Sequence, residues 1–123
     1  MRIRFASIVG LTILLTCGAA EAQRLVAARF ERLPAEDGTV FFDVDEQIGA
    51  VVGITRLETG LYSVTFDPPF TCDPVVTVTA GGPKERIATV RSVAMDRVRI
   101  TFRNVGGTRA DPLGIHLVAV GCD

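Results

Sequence analysis

Ile54-Thr55-Arg56-Leu57-Glu58-Thr59-Gly60-Leu61-Tyr62-Ser63-Val64-Thr65-Phe66 is the stretch that decides the fold class. Tyr62, Val64 and Phe66 fall on one side of an extended chain, Ser63 and Thr65 on the other, which is the period of two of a half-buried strand. Glu58-Thr59-Gly60 separates this strand from the apolar run Ala50 to Leu57, and the glycine suits the left-handed position of a three-residue hairpin loop. A β-hairpin is the expectation.

The same grammar extends outward. Asp67-Pro68-Pro69 ends the second strand, because proline has no N–H to give a ladder. Val75 to Ala80 resumes with Val76 and Val78 facing a core and Thr77 and Thr79 facing out. Ile87 to Val93 and Arg97 to Asn104 form a further pair, in which Val98, Ile100 and Phe102 alternate with Arg97, Arg99 and Arg103. Gly114 to Val120 is apolar on both faces, as expected of a central strand or one covered by a partner. Toward the N-terminus, Arg24 to Phe30 and Val40 to Phe42 read as short strands around the turn residues Pro34 to Gly38. About seven strands with turns at short intervals predict an all-β protein, a single antiparallel β-sandwich domain.

The first residues follow a different rule. Met1-Arg2-Ile3-Arg4 carries two positive charges, and Phe5 to Cys17 follows without a charged side chain. An apolar run of about 13 residues is shorter than the roughly 20 a membrane-spanning helix needs. Ala20-Glu21-Ala22 fits the small-x-small pattern read by signal peptidase. Residues 1–22 are therefore expected to be a signal peptide, residues 23–123 the mature domain, and the product secreted or periplasmic. The alternative is a lipoprotein acylated at Cys17 after Leu14-Leu15-Thr16.

The full chain has a formal net charge of −1, and loss of Arg2, Arg4 and Glu21 with the leader makes it −2. Such a value gives no pull toward nucleic acid, so no nucleic-acid partner is expected. Two of the three cysteines, Cys72 and Cys122, remain. In an oxidising compartment an even pair favours a disulfide over free thiols, and two thiols fall short of a four-ligand zinc site.

Catalytic machinery is sparse. His116 is the single histidine, and the mature chain holds only Ser63 and Ser92 as serines, all within expected strands. A sheet or core histidine is the expectation, and no enzyme activity. Asp43-Val44-Asp45-Glu46 has a spacing open to a cation, but it lacks the glycine and distal glutamate of a calcium loop and reads as a solvated turn. Gly81-Gly82 and Gly106-Gly107 lack the spacing of a phosphate-binding loop, so neither a metal nor a cofactor is expected. The arginine stripe Arg97, Arg99 and Arg103, joined by Arg91 from the neighbouring strand, suits an acidic glycan or phosphate, since guanidinium forks match such groups. An ordinary charged outer face is the competing reading. Arg109 and Asp111 join the candidate ligand-binding residues through the loop 105–112.

From about Phe30 onward the order of features resembles a group of short exported bacterial domains. The stretches that carry it are Glu36 to Val40, Gly53 to Phe66 with its Thr59-Gly60-Leu61-Tyr62 hairpin, Cys72, and Gly114 to Cys122. Phe66-x-x-x-Phe70 and Pro74-Val75-Val76 are also similar to H-type lectin and phage tail-fibre tip sandwiches. That resemblance implies a binding head, commonly trimeric, with a surface ligand such as a glycan. With no tryptophan and one tyrosine, the chain differs from the aromatic-rich sugar sites of many lectins.

Two functions stay open. The first is a non-catalytic binding or adhesion domain that uses the loops 81–86 and 105–112. The second is a structural, self-associating component of an envelope or secreted complex. Mass spectrometry of the natural product should find a chain that begins at Gln23, and a lipid-bearing Cys17 at the N-terminus would replace the soluble form by an anchored one.

Overall fold

In the computed structural model, residues 22–33 and 39–123 are described. The expected leader, the lipid-acceptor reading of Cys17 and the turn at 34–38 therefore lie outside the described residues.

Eight strands run in chain order: β1 (Gln23–Leu33), β2 (Phe41–Ile48), β3 (Val51–Glu58), β4 (Leu61–Asp67), β5 (Val75–Gly81), β6 (Ile87–Val93), β7 (Arg97–Arg103) and β8 (Gly114–Cys122). They form two four-stranded sheets, β2-β1-β8-β5 and β3-β4-β7-β6, antiparallel throughout. The two sheets pack as a β-sandwich, because each strand's apolar alternation must bury one face. The expected hairpin is β3–β4, with Gly60 at φ 69°. A side chain there would also collide, since a Cβ on Gly60 would lie 2.5 Å from the Phe102 carbonyl oxygen.

Two expectations need correction. The acidic segment Asp43-Val44-Asp45-Glu46 is not a turn but the body of β2. Phe42 and Val44 pack inward against the core, and Asp43 and Asp45 alternate with them on the exposed side, so the acidic residues hide a strand pattern. β1 runs on to Leu33, three residues beyond Phe30, because it pairs with both β2 and β8.

The core holds Val26, Phe30, Tyr62, Val64, Phe66, Phe70, Val98, Ile100, Phe102, Ile115 and Leu117. Tyr62 stands edge-on to Phe42 and to Phe102, with ring centroids 5.4 and 5.6 Å apart. β8 lies between β1 and β5, which accounts for its apolar character on the inner side. Its outward residues Val118 and Val120 remain exposed.

At one end of the sandwich Cys72 and Cys122 form a disulfide, with Cα atoms 5.3 Å apart. Around it Thr71 N donates to the Cys122 carbonyl at 3.0 Å, and Asp123 N to that of Ala22 at 3.1 Å. Arg24 closes this end, its guanidinium 4.4 Å from the centre of the Phe70 ring. The bond spans 50 positions of sequence. For a loop of that length the chain-entropy model gives about 4 kcal/mol of stabilisation. Reduction, or Cys72→Ser, should lower the melting temperature by roughly 15 °C or more, measured by calorimetry with and without reductant.

Candidate functional site

The alternation of β7 sends Val98, Ile100 and Phe102 into the core, so Arg97, Arg99 and Arg103 stand on the outer side of the second sheet. Register places Arg99 beside Ser63 of β4 on one side and Ser92 of β6 on the other. The pairing of β6 slips between Val90 and Ser92, and Arg91 is the extra residue of that bulge. A bulge re-aims the side chain it inserts, and here it brings Arg91 to the same place as Arg99.

Arg109 arrives from the opposite direction. The chain after β7 folds back, with a bridge between Arg103 and Arg109 and a 3.1 Å hydrogen bond from Ala110 N to the Phe102 carbonyl. The result is a cleft of about 410 Å³ lined by Glu58, Leu61, Arg91, Ser92, Arg99 and Arg109. Arg109 Nη1 donates to Glu58 Oε1 at 3.3 Å. Arg91 and Arg99 have no hydrogen-bond or ion-pair partner among the described residues. Three guanidinium groups face one carboxylate.

The other arginines of the stripe are occupied. Arg97 pairs with its neighbour Asp96 at 3.1 Å, and that hydrogen bond holds Asp96 below its ordinary range. Arg103 Nη1 donates to the Gly107 carbonyl at 3.2 Å. The structure thus joins Arg91, Arg99 and Arg109 and leaves Arg97 and Arg103 at the ends of β7.

Asp111 has a different task. Its Oδ1 accepts from Tyr62 Oη at 2.6 Å, Gly60 N at 2.9 Å and Arg56 Nε at 3.1 Å, while Oδ2 accepts from Arg56 Nη2 at 2.9 Å. Arg86 Nε donates to the Asp111 carbonyl at 3.1 Å, so the loops 81–86 and 105–112 do meet at one end. Burial opposes ionisation of Asp111, but the hydrogen bonds from Arg56, Tyr62 and Gly60 outweigh it and bring its pKa to about 2. Burial, and then the same carboxylate, push the Tyr62 phenol up. Asp111 is a structural hub with a side chain only 12% exposed.

Arg56 was not among the residues that the sequence singles out. Its signal was there: Val52, Ile54 and Arg56 share one phase of β3, and a charge that continues an inward-facing row, although Arg56 itself is exposed, points to a counter-charge nearby. His116 lies exposed on the outer side of the first sheet, whereas Ser63 and Ser92 belong to the second. Asp45 and Glu46 both pair with Arg29, Glu46 at 3.3 Å. Among the described residues no group of three or more His, Cys, Asp or Glu is placed to hold a metal ion.

Comparison with known protein families, with characterised proteins and with solved structures finds no match. The likeness to lectin and tail-fibre domains therefore rests on sequence pattern alone.

The hub gives a pH signature. Asp111 has a folded pKa of about 2, below its ordinary 3.8, so its contribution is complete above about pH 4 and is lost as pH falls toward 2. That contribution is about 2 kcal/mol. Chemical denaturation of the wild type should show this loss of stability between pH 4 and 2. Asp111→Asn should be less stable at pH 7, by roughly 2–3 kcal/mol, and should lack that part of the acid dependence.

Proposed function

We propose that this protein is an exported, non-catalytic binding domain that recognises an anionic glycan through the cleft of Arg91, Arg99 and Arg109. The observation that carries this reading is the pair of unpartnered guanidinium groups, Arg91 and Arg99, converging on one cleft. An ordinary charged surface spreads opposite charges so that neighbours neutralise one another, as Arg97 and Asp96 do. Here the excess positive charge is local, in a chain whose overall charge is slightly negative.

The chemistry of the surroundings supports a sugar that bears sulfate, phosphate or carboxylate groups. Arginine forks offer two parallel N–H donors to such a group. Ser63 and Ser92 flank Arg99 in the same cross-strand row and supply hydroxyls of a kind that bonds sugar hydroxyls. The single tyrosine, Tyr62, is fully buried, so recognition proceeds through charge and hydroxyls rather than a tyrosine platform. Glu58 repels misplaced anions and sets Arg109.

The test is a titration with a sulfated oligosaccharide, a heparin fragment, against a neutral oligosaccharide of equal length. The wild type should bind the sulfated chain alone and lose affinity as salt rises, since exposed charges are screened. Arg91→Gln and Arg99→Gln should each weaken binding about tenfold or more, whereas Arg97→Gln should change it little. Equal binding of the neutral sugar, or no effect of Arg99→Gln, would remove the proposal.

A further inference from the structure

The outer side of the second sheet continues beyond the arginine cleft. Register sets Ser92 of β6, Arg99 of β7, Ser63 of β4 and Thr55 of β3 in one row across all four strands. The neighbouring row is Arg97, Thr65 and Gly53. Over β4 and β3 these two rows present only Ser63, Thr65, Thr55 and Gly53, a shelf without charge or large apolar group. Thr55 and Thr65 are exposed, Ser63 and Gly53 half-buried. Among the described residues none of the three hydroxyls has a hydrogen-bond partner. Gly53 keeps the shelf low, since a Cβ there would lie 2.8 Å from Thr65 Oγ1. Glycine inside a strand weakens it, and one reason for its presence is the close approach of a ligand.

We infer that a linear glycan lies across the strands here, its anionic group in the arginine cleft and its next two sugar units on the shelf. The inference rests on the reading of the cleft above and extends it to the length of chain that is recognised. Direction follows from what bounds the cleft. On one side stand Arg109 and Glu58, joined to each other at 3.3 Å. On another the sheet ends, because β6 is its edge strand. Farther along β7, Arg97 is already paired with Asp96. The surface over β4 and β3 is what remains open, and its carboxylates, Glu58 and Asp67, lie only at the strand ends.

The spacing fits as well. Neighbouring strands are about 4.8 Å apart, and a pyranose unit is about as long, so two further units span the distance from β7 to β3. Each then meets hydroxyls that both donate and accept: Ser63 and Thr65 under the first unit, Thr55 under the second. A single-stranded nucleic acid also carries anionic groups along a chain, but it needs aromatic side chains on which to stack. Tyr62, Phe66 and Phe102 of this sheet all belong to the core. The shelf offers no cation, so the units over it gain nothing from charges of their own. A sparsely charged chain therefore suits the site as well as a densely charged one.

An amide-resolved NMR titration of the product of the full-length sequence tests this. The probes are singly sulfated glucose and β-linked glucose chains of two to five units with one sulfate on an end unit, in both end isomers. Affinity should rise about tenfold from one unit to three and then level off. The Thr55, Ser63 and Thr65 amides should shift only with the chains. Thr55→Val with Thr65→Val keeps β-branched side chains and should abolish the gain with length, while binding of sulfated glucose stays at the wild-type value. Thr77→Val, the same exchange on β5 of the first sheet, should change neither. Circular dichroism checks that the variants fold. Affinity independent of length for both isomers, or a gain that survives the double substitution, would overturn the inference and leave the cleft standing. Sulfated glucose that does not bind, or that binds Arg99→Gln equally well, would remove the cleft reading and this inference with it.

Discussion

The carboxylate of Asp111 is the constraint on which one whole end of the molecule depends. It receives the Arg56 fork from β3, the Tyr62 hydroxyl from β4 and the Gly60 amide from the hairpin between them. Its own carbonyl receives Arg86 from the segment that leads into β6. Four parts of the chain are thus fastened by one residue that belongs to no strand. A carboxylate can fill this role because its two oxygens accept several donors at once. The arrangement also limits substitution at Asp111 itself, since loss of its carboxylate leaves the Tyr62 hydroxyl and the Gly60 amide without their acceptor.

The hub bears on the candidate site through short distances. Arg109 lies two residues from Asp111, and a Cβ on Gly60 would stand 3.1 Å from the Arg109 Cβ. Whatever fixes Gly60 and Asp111 therefore fixes the wall of the arginine cleft. At the opposite end the chain uses different chemistry. Arg24 stacks on Phe70, donates to the Pro68 carbonyl at 2.8 Å and lies 3.6 Å from Asp123, next to the disulfide. Arg24 and Arg56 both continue inward phases of their strands, but Arg24 is largely covered whereas Arg56 stays exposed beside Asp111.

Most of the strands were legible because alternation is a local property. Tyr62-Ser63-Val64-Thr65-Phe66 and Val98 to Phe102 need no knowledge of their neighbours, and both sort onto the two faces as the period of two requires. β2 was legible only at its start, Phe41 and Phe42, since beyond it Asp43, Asp45 and Glu46 outweigh Val44 in a reading by composition. The arginine stripe was visible as a row, but its division was not. Arg97 is neutralised by its neighbour, Arg103 donates a hydrogen bond to a carbonyl four residues on, and Arg91 is recruited by a bulge that leaves no mark in the sequence. Asp111 was noticed for its charge, but its hold on Arg56, Gly60 and Tyr62 was not legible, because these partners lie 49 to 55 positions away. Long-range partners decide whether a charged residue serves a ligand or the fold.

The outer faces of the two sheets differ in chemistry. Exposed ion pairs in water contribute about 0–1 kcal/mol each, and even good arginine forks add only a few, so contacts with Arg91, Arg99 and Arg109 alone would hold an anion only weakly. A sandwich lets the two outer sides differ: the first sheet's carries exposed valines such as Val118 and Val120, the second's arginines and hydroxyls, while a core about 10 Å thick sets the sheets back to back so that these sides face away from each other. Strand alternation makes this division possible, because outward positions can change character on one sheet without disturbing a single inward residue of the other.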